Sequence, residues 1–188
     1  MKILFLNYEY PPLGGGAANA TEYILREYSE MPDVEVELVT SSVDHEYHKE
    51  QLDKNIVIHR LPIGKKGANL HHQSQKELLT YSWKAYQFSR KLLKENHFDV
   101  AHAFFVVPCG VLLWALWHEF HVPYIVSLRG ADVPGYSERF MALYAPLRPL
   151  VRQVWGKAYS VIANSQGLKE LALKTDPRQP IGVIYNGV

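Results

Sequence analysis

The chain has 188 residues and a formal net charge of +1, with 47% hydrophobic and 21% charged residues. This balance is typical of one folded domain with its own core, and it excludes an intrinsically disordered chain. A charge so close to zero points to no particular partner, and no nucleic-acid partner is expected. The single cysteine, Cys109, excludes an internal disulfide framework and suits a reducing cytosol.

Two features argue against a membrane-spanning or secreted protein. The apolar run at the N-terminus is too short for a secretory signal. The longest apolar stretch, 104–120, is interrupted by Pro108 and Glu119 and is too short to cross a bilayer. A cytoplasmic protein is therefore expected.

Patterns typical of strands and helices alternate along the chain. An apolar run at 2–6 predicts a buried strand, and a loop rich in proline and glycine follows at 8–16. A helix is predicted at 17–31, and the alternation at 34–40 predicts a half-buried strand near a sheet edge. Further strands are predicted at 55–61, 98–105, 122–128, 158–163 and 181–185. Further helices are predicted at 75–96, 108–120, around Pro146 and Pro149, and at 168–174, and a basic loop is predicted at 64–69.

This alternation favours parallel βαβ units with right-handed crossovers. The apolar central strands agree, because parallel strands are usually covered on both faces. The chain is therefore predicted to be one α/β domain, a parallel sheet with helices on both faces. Ligands of such sheets bind at the carboxyl ends of the strands, where the segments 8–16, 102–108, 129–135 and 164–166 are expected to meet.

The glycine cluster Gly14, Gly15 and Gly16 stands directly before the first predicted helix. Free backbone amides and the helix dipole there suit an anion such as a diphosphate, and glycines allow its close approach. The alternative is a flexible turn. A dinucleotide-binding fingerprint would need a glycine where Asn19 stands and an acid near Thr40, so a dehydrogenase is not predicted.

A second polar segment, 129–135, follows the strand at 122–128 and contains Arg129 and Asp132 between two glycines. Arg129 has the donors to bind a phosphate or carboxylate, and Asp132 has oxygens that accept from sugar hydroxyls. The alternative is that Arg129 and Asp132 simply pair with each other. The local pattern favours neither reading.

Several other polar residues are candidates for the same edge. His102 lies inside a strand, where a lone histidine is more often a core residue than a catalyst. Asn164 and Ser165 follow the strand at 158–163, and Ser165 is also a predicted helix N-cap. The pair at 71–72, two histidines, lacks a carboxylate or cysteine at ligand spacing, so no metal site is predicted.

Taken in order, these segments resemble the N-terminal domain of the retaining GT-B glycosyltransferases of family 4, a group that includes bacterial glycan, lipopolysaccharide and mannosyl transferases. The resemblance covers the entire chain. It is carried by KILF at 2–5, PPLGGG at 11–16, VELVT at 36–40, FDVAHA at 98–103, PYIVSLRGAD at 123–132, VIANS at 161–165 and VIYNGV at 183–188.

The resemblance implies a Rossmann-like, acceptor-side domain of a nucleotide-sugar-dependent enzyme of glycan, lipopolysaccharide or glycolipid synthesis. It implies no cofactor beyond the nucleotide-diphosphate sugar donor, and a sugar or a lipid-linked acceptor as the second substrate. Gly14 to Gly16 would approach the donor diphosphate, and His102, Arg129 and Asp132 would face the acceptor or the reacting centre. Arg129 and Asp132 are the predicted catalytic residues, and Asn164 and Ser165 complete the predicted binding edge.

The sequence departs from the family pattern in three respects. Arg129 stands where many relatives have a histidine, and Phe104 stands where a second histidine is common. The sequence stops within the Asn-Gly-Val signature that marks the end of the first domain, and the donor domain with its glutamate motif is missing. Residues 1–188 alone are therefore expected to be inactive. The alternatives are a standalone glycan- or nucleotide-binding module and a subunit that shares its site with a separately encoded donor domain.

The segment 60–94 is strongly basic and contains interleaved aromatic residues. One interpretation is a surface that sits on anionic lipid near a lipid-linked acceptor, at the inner face of the membrane. The other is a solvated helix face with its aromatic residues in the core.

Overall fold

The computed structural model describes residues 1–65, 70–71, 73–136 and 141–186. The chain divides into two compact units, Met1–Ala101 and His102–Val188. Each unit combines strands and helices in the alternating order that the sequence predicts.

The strands of the first unit lie in the order β3-β4-β2-β1. Strands β1 (Lys2–Leu6), β2 (Glu35–Ser41) and β4 (Ile56–Leu61) run parallel. Leu38 of β2 lies opposite Phe5 of β1 on one side and Ile58 of β4 on the other, and these three apolar residues are fully or almost fully buried. Strand β3 (His48–Asp53) pairs antiparallel with β4.

Two expectations for this sheet are wrong. Strand β2 does not lie near an edge, because β4 and then β3 pair beyond it. Its Glu37, which produced the polar alternation, is held between Lys2 Nζ at 2.7 Å and His59 Nε2 at 2.9 Å. Strand β3 was not predicted, because its sequence HKEQLD is polar and mostly exposed and so has no apolar period.

Two helices pack on this sheet. Helix α1 (Gly16–Ser29) follows the glycine cluster directly, with Leu25 fully buried. Helix α2 (Gln75–Glu95) begins with a capping box, in which the Ser74 hydroxyl accepts from the Glu77 amide while the Glu77 carboxylate accepts from the Ser74 amide. Tyr81 anchors α2 on the sheet, since its buried hydroxyl donates to the Val39 carbonyl at 2.9 Å.

The second unit has strands in the order β5-β6-β7-β8. They are β5 (Val100–Phe104, which begins in the first unit), β6 (Tyr124–Leu128), β7 (Ser160–Ala163) and β8 (Gly182–Val183), and the last three run parallel. The helices are α3 (Val111–Phe120), α4 (Met141–Lys157) and α5 (Gln166–Leu173). The predicted helix at 108–120 therefore starts later than expected, after a π-type turn at Val106–Gly110.

The core of the second unit lies between its strands and helix α4. Trp155 and Val154 of α4 are fully buried, and the hydroxyl of Tyr124 donates to the Val154 carbonyl at 2.6 Å. The apolar β6 sequence YIVSL agrees with a strand covered on both faces. The predicted α/β class, with a mostly parallel sheet flanked by helices, is confirmed.

Candidate functional site

A cavity of about 450 Å³ lies at the carboxyl ends of β6 and β7 in the second unit. Arg129 follows directly after β6, and Asn164 and Ser165 follow directly after β7. The structure thus brings together three of the residues that the sequence predicts for this edge. The complete lining is Arg129, Gly130, Tyr136, Asn164, Ser165, Gly167, Leu168 and Leu171.

The guanidinium of Arg129 is partly buried against an aromatic ring. Its Cζ lies 3.4 Å from the centroid of the Phe104 ring, a cation–π contact of the kind worth about 0.5–2 kcal/mol. One terminal nitrogen donates to the side-chain oxygen of Asn186 at 2.8 Å. Burial lowers the pKa of Arg129 to about 10, so the group is still a cation at neutral pH.

The carboxylate of Asp132 is buried and bonded to main-chain amides. One oxygen accepts from Val106 N at 2.7 Å, and the other accepts from Arg129 N and Gly130 N at 3.0 Å each. Burial raises the pKa of Asp132, and these amide donors act against that rise. The carboxylate therefore shapes the loop that carries Arg129, and the link to Arg129 runs through its backbone. A direct catalytic role for Asp132 stays a prediction.

His102 lies inside β5 and bonds to the neighbouring strand. Its Nε2 is 2.8 Å from the hydroxyl of Ser127 in β6, and its ring packs edge-on against Phe104. Burial, together with the nearby charge of Arg129, lowers the pKa of His102 to about 3, so its imidazole is neutral at physiological pH. His102 is not among the residues that line the cavity, and its predicted role in substrate binding stays a prediction.

Two residues near the site have a positive φ, a backbone conformation that residues other than glycine rarely adopt. Phe105, at the end of β5, has φ 68° although it is not glycine. Such residues cost about 1–3 kcal/mol each and occur often at functional sites. Gly130 has φ +118°, a conformation that favours glycine, and a Cβ there would also displace the exposed ring of Tyr136, whose Cζ would lie 2.8 Å away.

The predicted glycine loop belongs to the first unit. Gly14 has φ +94°, and a Cβ at this position would lie 2.6 Å from Glu9 Cβ. The Gly15 amide, at the start of α1, points to Glu9 Oε2 at 3.4 Å, and no side chain caps α1 at Gly15. A carboxylate thus stands next to the amides that the sequence predicts as the diphosphate site.

Sequence reasoning missed several residues of these two regions. His71 is exposed, and its Nδ1 lies 3.1 Å from the Gly14 carbonyl oxygen. Phe104 was noted only as a departure from the family pattern, yet it supports the Arg129 guanidinium. No sequence signal connects Asn186 with Arg129, because 57 residues separate them along the chain.

A larger cavity of about 650 Å³ lies elsewhere in the second unit. It is lined by Ser160 and Gly182, the first residues of β7 and β8, and by Trp155, Tyr159 and Lys169. Ligand sites of parallel sheets form at the carboxyl ends of the strands, and this cavity is at the amino ends. The smaller cavity beside Arg129 is therefore the better candidate.

The described residues contain neither a metal-binding cluster nor a membrane-spanning helix. Over 1–65, 70–71, 73–136 and 141–186, no group of three or more histidine, cysteine, aspartate or glutamate side chains is arranged to hold a metal ion. Within the same ranges, no helix combines the length and apolar character needed to cross a bilayer.

The chain is similar in sequence to a glycosyltransferase. An uncharacterized glycosyltransferase of Methanocaldococcus jannaschii is 24% identical over 188 residues, which are 100% of this chain and 47% of that protein. The chain therefore spans about half the length of the curated relative that it matches.

Solved structures share the fold. A sucrose-phosphate synthase from Thermosynechococcus elongatus superposes with a TM-score of 0.69 at 14% identity, covering 100% of this chain and 90% of that one. A UDP-forming trehalose-phosphate synthase from Burkholderia xenovorans superposes with a TM-score of 0.60 at 12% identity, covering 100% of this chain and 50% of that one. At these identities the likeness establishes the Rossmann-like fold of a GT-B half.

The model of the family described as Glycosyltransferase Family 4 matches residues 14–188, from the glycine cluster to the last residue. This match covers far more than half of the chain, and it confirms the resemblance drawn from the ordered motifs. The chain belongs to glycosyltransferase family 4.

Proposed function

We propose that this chain is the acceptor-side domain of a nucleotide-sugar-dependent, retaining glycosyltransferase of glycan, lipopolysaccharide or glycolipid synthesis. The observation that supports this most is the cavity at the carboxyl ends of β6 and β7, lined by Arg129, Asn164 and Ser165. It combines a cation, an amide and a hydroxyl, which are the groups that bind sugar oxygens.

In this proposal Arg129 holds the substrate and stabilises negative charge in the transition state. The aromatic ring below it and the amide of Asn186 beside it restrict the guanidinium to one position. Fixed donors of this kind lower the barrier because they need no rearrangement during the reaction, and removing one costs about 10²–10³ in rate. Asp132 is a positioning residue, since its contacts are with the main chain of the Arg129 loop.

The glycine loop, Gly14 to Gly16, is proposed to bind the donor substrate. The amides at the start of α1 would bind the diphosphate of the nucleotide sugar, helped by the positive end of the helix dipole. Glycine is required at position 14 by its φ of +94° and by the closeness of Glu9. The transfer needs the nucleotide sugar and an acceptor: the bond from the anomeric carbon to the diphosphate breaks, a bond to the acceptor hydroxyl oxygen forms, and the nucleoside diphosphate and the hydroxyl proton are released.

The experiment is a donor screen with the protein expressed from its complete coding frame. UDP-, GDP- and ADP-sugars are incubated with lipid and glycan extracts, and the release of nucleoside diphosphate is measured for the wild type and for Arg129→Ala. We expect release with one donor class, reduced about 100-fold or more in the variant. Residues 1–188 alone should release none. Tight nucleotide-sugar or glycan binding without any turnover would instead favour a binding module.

We also propose that the outer face of α2 contacts an anionic membrane surface. Leu79 and Trp83, one helical turn apart, expose 72% and 67% of their surface. Exposed apolar residues among lysines are typical of helices that lie at a lipid interface. The exposed lysines of α2 are Lys76, Lys84, Lys91 and Lys94.

Only part of the basic segment 60–94 can belong to such a surface. Arg60 is buried and paired with Glu50 at 2.7 Å, and Lys65 is buried with Glu77 at 3.6 Å. Lys66 lies outside the described residues. The proposed lipid surface is therefore restricted to the outer face of α2.

A further inference from the structure

We propose that the cavity beside Arg129 receives an anionic group, a carboxylate or a phosphate, carried by the sugar substrate of this protein. This inference rests on the proposed function, because it names the chemical class of substrate that the site would select.

The cavity lining carries a net positive charge. Of its eight residues, all described, Arg129 alone has a formal charge at neutral pH, and it is a cation. The carboxylate nearest in sequence, Asp132, is only 1% exposed, and both of its oxygens accept main-chain amides. An anion that enters the cavity therefore meets a guanidinium and no carboxylate among the lining side chains.

The guanidinium has neutral direct partners, and the charge of Asp132 also acts on it. Its contacts in the structure include a ring face, that of Phe104, and a neutral amide oxygen, that of Asn186. Its Nε is buried and has no hydrogen-bond partner among the described residues. This nitrogen has almost no accessible surface, so a ligand would bind the terminal nitrogens, which carry four of the five N–H donors of the guanidinium.

The N-terminus of helix α5 also lines the cavity. Helix α5 begins at Gln166, and the first amides of a helix have no partner inside it, although the Leu168 amide is bonded to the Ser165 hydroxyl. Gly167 lines the cavity, and a Cβ built on it would meet nothing within 4 Å, so the space beside it is open to a ligand. These amides add to the attraction of Arg129 for an anion, and the amide side chain of Asn164 adds further hydrogen-bonding capacity.

A neutral hexose would gain little from this arrangement. Its hydroxyls are satisfied by neutral groups, whereas a guanidinium forms its strongest, bidentate hydrogen bonds with carboxylate and phosphate. Loss of a charge-assisted hydrogen bond costs about tenfold or more in affinity. The volume, about 450 Å³, lies within the range of small-molecule sites.

The test uses the protein expressed from its complete coding frame. The three probes are galactose, galacturonate and galactose 6-phosphate, which share the galactose ring and differ in charge at C6. Dissociation constants are measured at low salt for the wild type, Arg129→Gln, Arg129→Lys and the control Arg178→Gln, which removes an exposed cation of the same unit. We expect one or both charged sugars to bind about tenfold or more tightly than galactose. Arg129→Gln should abolish that preference, Arg129→Lys should reduce it several-fold without abolishing it, and Arg178→Gln should keep it. The tighter of the two charged probes identifies carboxylate or phosphate.

The outcomes separate this inference from the proposed function. Equal binding of charged and neutral sugars, or a preference that survives in Arg129→Gln, overturns the inference. If the wild type still turns over a nucleotide sugar when the inference is overturned, the proposed function stands and only the preference for an anionic sugar is wrong. If Arg129→Gln fails to fold, as judged by its melting curve, the comparison of Arg129→Lys with the wild type decides. A lysine lacks the bidentate geometry, so the preference should fall several-fold but not vanish.

Discussion

The carboxylate of Asp132 accepts a hydrogen bond of 2.7 Å from the main-chain amide of Val106, 26 residues earlier in the chain. Its other oxygen accepts the amides of Arg129 and Gly130. One side chain therefore joins the turn after β5 to the loop after β6. The position of the Arg129 guanidinium depends on this junction.

Asp132→Asn should destabilise the protein. An asparagine offers one oxygen to three amide donors, and its own NH₂ group would face an N–H. Loss of one or two charge-assisted hydrogen bonds predicts a decrease of about 2–3 kcal/mol in the free energy of unfolding. Equilibrium denaturation measures this, with Asp176→Asn, whose half-buried carboxylate accepts the single amide of Arg178, as the control. A change below about 0.5 kcal/mol would show that the junction does not depend on the charge.

Acid should weaken the first unit through Glu37. The His59 ring, followed by the Lys2 ammonium, lowers the pKa of Glu37 to about 2 in the folded state. A lowered carboxyl pKa contributes stability that is present above the unfolded pKa, near 4.5, and is lost as the pH falls towards 2. We expect wild type to lose about 1–2 kcal/mol more than Glu37→Gln between pH 6 and pH 3. The control is Glu35→Gln, an exposed residue of the same strand, which should follow the wild-type curve.

Glu9→Gln should strengthen diphosphate binding at the glycine loop. The Glu9 carboxylate lies 3.4 Å from the Gly15 amide, where it repels an incoming anion and competes for the donor. Removing the charge should lower the dissociation constant of a nucleoside diphosphate by about threefold to tenfold. Isothermal titration with the complete protein measures this. An unchanged or weaker affinity would mean that the diphosphate binds elsewhere or that Glu9 itself holds the ligand.

Gly14→Ala and Gly16→Ala should differ sharply. Alanine at Gly14 is strained by the φ of +94° and by a Cβ 2.6 Å from Glu9 Cβ, so a loss of about 1–3 kcal/mol is expected. A Cβ at Gly16 meets nothing within 4 Å and lies in the first turn of α1, so its substitution should be neutral or slightly stabilising. Melting temperatures of the two variants measure this. Similar losses in both would contradict the assigned backbone requirement.

Trp83→Ala should weaken binding to anionic vesicles. Burial of an indole at a lipid interface and the nearby lysines would both favour association, and added salt should reduce the electrostatic part. Co-sedimentation with phosphatidylglycerol vesicles at low salt measures this. Tyr23→Ala, which removes an equally exposed aromatic ring from α1, is the control and should bind as wild type does. No sedimentation of the wild type would end the membrane proposal.

Much of the fold could be predicted because it rests on local patterns. The apolar run of β1, the turn residues before α1 and the Ser165 cap of α5, whose oxygen accepts the Leu168 amide, all depend on neighbours in sequence. Strand β3 escaped prediction because it is polar and depends on pairing with β4. The interior position of β2 could not be predicted for a related reason. Its Glu37 is paired with Lys2 of β1 and His59 of β4, which lie far from it in sequence.

By itself, the sequence determined the α/β class, the order of the elements apart from β3, the family and a set of polar residues at the strand ends. The class and the elements follow from short-range periodicity, and the family follows from the order of short motifs. Neither requires knowledge of the tertiary contacts. The tertiary structure alone decided which partners those residues have: Phe104 below Arg129, Asn186 beside it, Asp132 turned to the backbone, and Glu9 against the glycine loop. The physical reason is that a charged side chain takes its partner from whatever burial and strand register bring within about 3 Å, and such neighbours lie far apart in sequence.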